Sequence, residues 1–141
     1  MLPSPNGSRL SLATGDVPTI SGCLRNARAV AQMAESIAGD GTIAVIAAGE
    51  RWPDQTLRPA IEDWLGAGAI IKASIFKTNA EAGLAVEAYR AVEGSVADIV
   101  RDSRSGRELA GWGYRDDVDV ALEIDATAVV PVMRNGAYEA A

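Results

Sequence analysis

Apolar and polar positions fall into helical blocks separated by short apolar runs. Leu24, Ala27, Ala31, Ala34 and Ala38 recur three to four residues apart, as do Asn26, Val30, Met33 and Ile37, while Arg25, Arg28, Gln32 and Glu35 form a polar face. This spacing predicts a helix opened by Gly22 and closed at Gly39-Asp40-Gly41. Thr42–Ala48 is apolar throughout and bounded by glycines, the pattern of a strand buried on both faces of a parallel sheet. Val17–Ser21 and Ala128–Met133 are further strand candidates. A second helix is expected from Thr56 to Leu65, with Pro59 in its first turn and Gly66 and Gly68 breaking it. Ala69–Phe76 reads as helix, as do Ala80–Val92 and Val96–Asp102. Ser105-x-x-Glu108 has the form of a capping box opening a helix to Trp112, and Asp116 can cap a last helix through Glu123.

The order β-α-β, several helices, then β predicts an α/β fold, a layered α/β/α arrangement on a small, mainly parallel sheet. Three strands are few beside some six helices, since sheets carry about 4–6 strands. The chain therefore reads as an incomplete part of a larger sheet, which favours a partner surface and a homo-oligomer. Residues 1–16, rich in Pro, Ser, Gly and Asn, read as a loop-rich lead segment with one helical turn at Ser8–Ala13; residues 17–141 read as the α/β domain.

Composition narrows the chemistry. At 141 residues and 48% apolar the chain can fill one core. A formal net charge of −6 argues against non-specific nucleic-acid binding. No apolar run approaches the ~18 residues of a membrane span, and the start has no secretory pattern. The single Cys23 cannot form an internal disulfide, so a reducing cytoplasm is the expected compartment. With no histidine, Ser-His-Asp, Cys-His and HExxH chemistries are excluded. Carboxylates, hydroxyls, amides, guanidiniums and a hard metal ion remain.

Ligands of open α/β sheets bind beyond the carboxyl ends of strands, where helix N-termini point. Four segments are expected there. Ser21–Asn26 offers free N–H groups and Arg25 to an anion, and Asn26, set in an apolar stripe, should face the sheet edge. Asn6-Gly7-Ser8-Arg9 makes a tight turn in which Ser8 could help form an anion nest. Glu50, with Asp54, Glu62 and Asp63 nearby in sequence, could hold Mg²⁺ through oxygen ligands. Asp102–Arg107 combines hydroxyls, guanidiniums and a glycine as a phosphate or sulfonate clamp. Each also has a plain structural reading as turn, cap or solvated surface. Cys23 reads as a small core residue, and Trp52, Trp64 and Trp112 as packing.

Taken in order, five stretches resemble one family. They are Ser4–Ser8; Gly22-Cys23-Leu24-Arg25-Asn26-Ala27; Ile46–Trp52 followed by Arg58-Pro59-Ala60-Ile61-Glu62-Asp63; Asp102–Leu109; and Val130-Pro131-Val132. Together they resemble the 2-phosphosulfolactate phosphatase family over nearly the whole chain. The resemblance implies a Mg²⁺-dependent phosphoric monoester hydrolase that converts 2-phospho-3-sulfolactate to 3-sulfolactate and phosphate, a step towards coenzyme M. It implies a small anionic substrate held by Asn6, Ser8, Arg25, Asn26, Arg104 and Ser105. Glu50, Glu62 and Asp63 would be the catalytic carboxylates, with Glu50 and Asp63 as metal ligands. Members of that family are typically longer, with a preceding α/β portion carrying its own Asp- and Arg-containing motif, so the chain is expected to correspond to the C-terminal part. A second reading stays open: a non-catalytic anion-binding or interaction remnant that lost its activity with the N-terminal half. A nucleotide-binding domain is weaker, because no GxGxxG or GxxxxGK[ST] follows a strand.

Overall fold

The computed structural model describes residues 6–141, so Ser4 and Pro5 of the first stretch lie outside the described residues. The chain opens with α1 (Gly7–Ala13), a longer helix than the single turn expected there. A 3₁₀ turn at Leu24–Asn26 leads into α2 (Ala27–Ala38). After the hairpin β1 (Glu50–Arg51) and β2 (Leu57–Arg58) come α3 (Ile61–Ala73), α4 (Ala80–Val92) and a 3₁₀ turn at Glu93–Ser95. Three short helices follow, α5 (Val96–Asp102), α6 (Arg104–Gly111) and α7 (Arg115–Ala121), then β3 (Pro131–Arg134) and β4 (Ala137–Ala140).

Mixed helix and strand bear out an α/β composition, but the expected mainly parallel sheet is corrected. Both described sheets are two-stranded and antiparallel. The reason lies in tight turns. Asn135 and Gly136 both have positive φ, 51° and 80°, as a two-residue hairpin turn requires. They fold β4 back on β3, with Val132 opposite Glu139 and Met133 opposite Tyr138. Val17–Ser21 forms no strand of its own. It meets β3 through one antiparallel bridge between Ile20 and Val132, with Ser21 N–H donating to Pro131 O at 2.9 Å and Met133 N–H to Thr19 O at 2.8 Å. Thr42–Ala48 forms no strand among the described residues: Ile43 and Val45 are half-buried, and Ala44, Ile46 and Ala47 are exposed.

The helix expected at Thr56–Leu65 begins later and runs further. Asp54 accepts hydrogen bonds from the Thr56 amide (3.0 Å) and hydroxyl (2.6 Å). The chain reverses there, placing Arg51 opposite Leu57 and Glu50 opposite Arg58. Arg58 stays extended because the ring of Pro59 disfavours helical backbone in the residue before it. Helix α3 then passes through Gly66 and Gly68. At Gly68 an added Cβ would lie 2.3 Å from the Ala85 carbonyl oxygen and 2.9 Å from Tyr89 Cβ. The missing side chain is what lets α3 touch the α4 backbone.

The core lies where α3 packs between α2 and α4. Leu24, Val30, Leu65, Ile70 and Tyr89 fill it, joined by Val96, Val100, Val118, Leu122 and Val130 from the second half. Cys23 is exposed rather than in the core, and Trp64 and Trp112 are 50% and 70% exposed. Among the described residues no helix is long and apolar enough to cross a membrane.

The two glycines of α3 separate packing from propensity. A Cβ added at Gly66 would meet nothing within 4 Å, so Gly66→Ala should stabilise by about 0.5–1 kcal/mol through helix propensity. Gly68→Ala should destabilise by about 2–3 kcal/mol through overpacking. Urea unfolding of the two variants measures both; equal effects would remove the close approach as the explanation.

Candidate functional site

The β1–β2 hairpin, the start of α1 and the start of α6 converge on a cavity of about 410 Å³, within the size range of small-molecule sites. Asn6, Arg9, Glu50, Arg51, Trp52, Pro53, Gln55, Arg58, Arg104 and Glu108 line it. Four arginines face two glutamates, so the lining is net positive on a chain of net charge −6.

One wall is a polar network. Asn6 is 8% exposed. Its Nδ2 donates to Glu50 Oε2 at 3.0 Å, and its Oδ1 accepts from Arg51 Nε at 3.2 Å. Arg51 also donates to the Gln55 carbonyl at 2.6 Å. Gln55 has a φ of 69°, the left-handed backbone of the hairpin loop. Arg9 makes no ion pair among the described residues.

The opposite wall is built on Trp52. The Arg58 and Arg104 guanidinium carbons lie 5.8 and 4.8 Å from its ring centroid, inside cation–π range. Glu108 spans the same two cations, with Oε1 2.8 Å from Arg104 Nε and Oε2 3.4 Å from Arg58 Nη2. Ser105 Oγ accepts a long bond from Arg58 Nη1 at 3.4 Å. The capping box expected from Ser105 and Glu108 is therefore replaced. Ser103 caps α6 by accepting the Gly106 N–H at 3.0 Å, ahead of the position expected for the cap, which frees Glu108 for the arginines.

Behind the hairpin, Asp63 in the first turn of α3 accepts the Gly49 N–H at 2.7 Å. Burial pushes its carboxyl above the usual range, against the effect of that hydrogen bond, and the charges of Glu62 and Glu50 add to the rise. Glu62 Oε2 is buried with no hydrogen-bond partner, an unusual state for a carboxylate oxygen. Asp54, by contrast, is held below its usual range by the Thr56 hydroxyl and amide.

Of the candidate residues in the sequence motifs, Asn6, Glu50 and Arg104 line the cavity, and Ser105 borders it through Arg58. Glu62 and Asp63 sit behind it, and Asp63 is tied to the residue before Glu50 through Gly49. Ser8 lies in α1 beside Arg9 but is not part of the lining. Arg25 and Asn26 are placed elsewhere. Arg25 donates to the Val120 carbonyl and pairs with Glu123 at the end of α7. Asn26, 5% exposed, donates to the Val129 carbonyl at 3.0 Å and accepts from the Cys23 N–H at 2.9 Å. Sequence pattern does not mark Arg9, Arg51, Trp52, Arg58 and Glu108 as site residues. The Asp54-x-Thr56 turn ahead of Arg58-Pro59 is the available signal for the hairpin that gathers most of them.

Comparison with known proteins places the chain among relatives. The family described as 2-phosphosulpholactate phosphatase matches residues 1–136. The chain is 36% identical to the 2-phosphosulfolactate phosphatase of Methanothermobacter thermautotrophicus over 141 residues, 99% of this chain and 58% of that protein. The chain thus spans somewhat more than half the length of this curated relative.

Asp63 provides a pH test. Because its pKa is raised in the folded state, the neutral form is the one folding favours. That stabilisation is full below the unfolded pKa and is lost as pH rises through the folded value. At pH 7 the ionised carboxylate costs stability, so Asp63→Asn, which can still accept from Gly49, should raise Tm by a few degrees. The gain should shrink towards acid pH. Circular-dichroism melts across a pH series measure it, and an unchanged or lower Tm at pH 7 would contradict the burial argument.

Proposed function

Because the chain belongs to the 2-phosphosulpholactate phosphatase family, we propose that it serves the magnesium-dependent hydrolysis of 2-phospho-3-sulfolactate, or a similar small phosphate ester, to the free alcohol and phosphate. Such a substrate carries phosphate, sulfonate and carboxylate on three carbons. The observation that carries the reading is the cavity lined by Arg9, Arg51, Arg58 and Arg104 with Glu50 at its edge. Four guanidiniums suit a ligand with several anionic groups, since each can donate two hydrogen bonds in a plane to an oxyanion.

The carboxylates beside the cavity fit magnesium. Among the described residues no three acidic groups are placed so that they could hold a metal ion together, but Mg²⁺ commonly uses one or two carboxylates and completes its shell with water and phosphate oxygens. Glu62 has a buried oxygen with no partner, and Asp63 sits under the repulsion of Glu62 and Glu50. A bound cation would satisfy the first and relieve the second. Glu62 and Asp63 are the residues that would hold it, with Glu50 left on the cavity side. Magnesium supplies charge neutralisation and an activated water when bound.

In the hydrolysis, a water oxygen bonds to phosphorus, the bond from phosphorus to the ester oxygen breaks, and the departing alkoxide takes up a proton. The arginines bind and orient the ester, and Trp52 and Pro53 close one side of the cavity. Glu50, fixed by Asn6 at 3.0 Å, is the lining carboxylate placed to accept the proton of the attacking water. Arg25 and Asn26, which tie the α2 entrance to α7 and the segment before β3, have no part in this step.

Phosphate release from 2-phospho-3-sulfolactate tests the reading. Release should require Mg²⁺, stop with EDTA, and fall about 100-fold in kcat for Glu50→Gln, the scale of a lost general base. Release indifferent to EDTA would remove the metal. Absence of release from this and other three-carbon phosphate esters, with phosphate still raising Tm, would favour the anion-binding module instead.

A further inference from the structure

We propose that Trp52 is a positioning residue: its indole holds the Arg58 and Arg104 guanidiniums together as a two-pronged receptor for one tetrahedral oxyanion. This rests on reading the cavity as an anion site. The two arginines come from different elements, Arg58 from β2 and Arg104 from α6. Two like charges drawn to one place repel, and something must offset that. Two groups touch both, the Trp52 ring at 5.8 and 4.8 Å and the Glu108 carboxylate at 3.4 and 2.8 Å.

These two partners act differently on a ligand. Glu108 orients the cations but also neutralises one charge and occupies N–H donors that an incoming oxyanion would use. The indole attracts the cations through the negative face of its ring and carries no net charge. It therefore gathers them while leaving their charge and in-plane N–H donors available. The main chain that carries the ring is held within the hairpin by backbone hydrogen bonds. Trp52 N–H donates to the Thr56 carbonyl at 2.9 Å, and its own carbonyl accepts the Gln55 N–H at 2.8 Å. The Arg58 side chain is 11% exposed, so the neighbours packed on it, Trp52 among them, set where its guanidinium lies.

The test is calorimetric titration of the whole chain with inorganic phosphate. Trp52→Leu should weaken binding about tenfold and Trp52→Phe, which keeps an aromatic face, about threefold. Arg104→Ala should weaken binding as well, and Trp52→Leu should cost much less in the Arg104→Ala background than in the native one. Such coupling is what a residue acting through Arg104 must show; a merely structural residue would give independent, multiplying effects. Equal phosphate affinity for Trp52→Leu and the native chain, or effects that multiply, would overturn the proposal. If Trp52→Leu fails to fold, the same cycle run with Trp52→Phe decides it. A native chain that does not bind phosphate overturns the anion site and this inference together. Phosphate binding without ester hydrolysis overturns the phosphatase reading alone, with Trp52 still judged by the cycle.

Discussion

The cavity depends on how firmly α3 is held, and α3 is held at Gly68. There the helix approaches α4 so closely that a single methyl group would meet the Ala85 carbonyl at 2.3 Å. Two helices in backbone contact cannot slide without breaking that fit. The first turn of α3 therefore has a fixed position, and Asp63 on that turn grips the hairpin by accepting the Gly49 N–H. From Gly49 the chain runs directly into Glu50, Arg51 and Trp52, and the hairpin returns it to Arg58. One helix contact in the core thus fixes most of a site on the surface.

Charge around the site is distributed with the same economy of parts. The chain is acidic, yet four of its arginines line one cavity. Other arginines are placed in exposed ion pairs, such as Arg101 with Asp119 and Arg107 with Asp102, contacts worth little in stability. The acidic groups nearest the cavity have separate partners. Glu108 spans Arg58 and Arg104, Glu50 is bonded to Asn6, and Glu62 and Asp63 lie behind the hairpin.

Helices are legible in the sequence wherever propensity and periodicity agree. Ala80–Val92 and Val96–Asp102 lie at the residues their pattern predicts. Sequence and structure part where a residue type has two uses. Glycine reads as a helix breaker, but Gly68 serves close approach. An apolar run reads as a buried strand, but pairing depends on which neighbours lie in register. Val17–Ser21 finds β3, while Thr42–Ala48 forms no strand among the described residues. The hairpins carry signals that outweigh hydrophobic pattern: Asn135-Gly136 in one, Asp54-x-Thr56 before Arg58-Pro59 in the other. At the site, Asn6, Glu50 and Arg104 can be found from local motifs. Trp52 and Glu108 cannot, because what makes them informative is a pair of arginines brought in from separate elements.

The lack of histidine and scarcity of lysine take on a physical sense at this cavity. A guanidinium is in general a permanent cation in proteins. It is also planar, and two of them can lie against one indole while each offers edge N–H groups to Glu108 or to a ligand; an ammonium is a compact charge without that separation of face and edge. Lysines at the Arg58 and Arg104 positions would attract an anion but would not be ordered by Trp52 in the same way. Carboxylates, in contrast, change charge with pH. Among these Asp63 is already pushed upward by burial and by Glu62 and Glu50. A cation bound beside it would draw its pKa back down, because an opposite charge favours the ionised form. If the proposed cation binds there, its binding and proton release from this carboxyl would be one linked equilibrium, in which acid would displace the cation and the cation would extend the range over which the carboxylate stays charged.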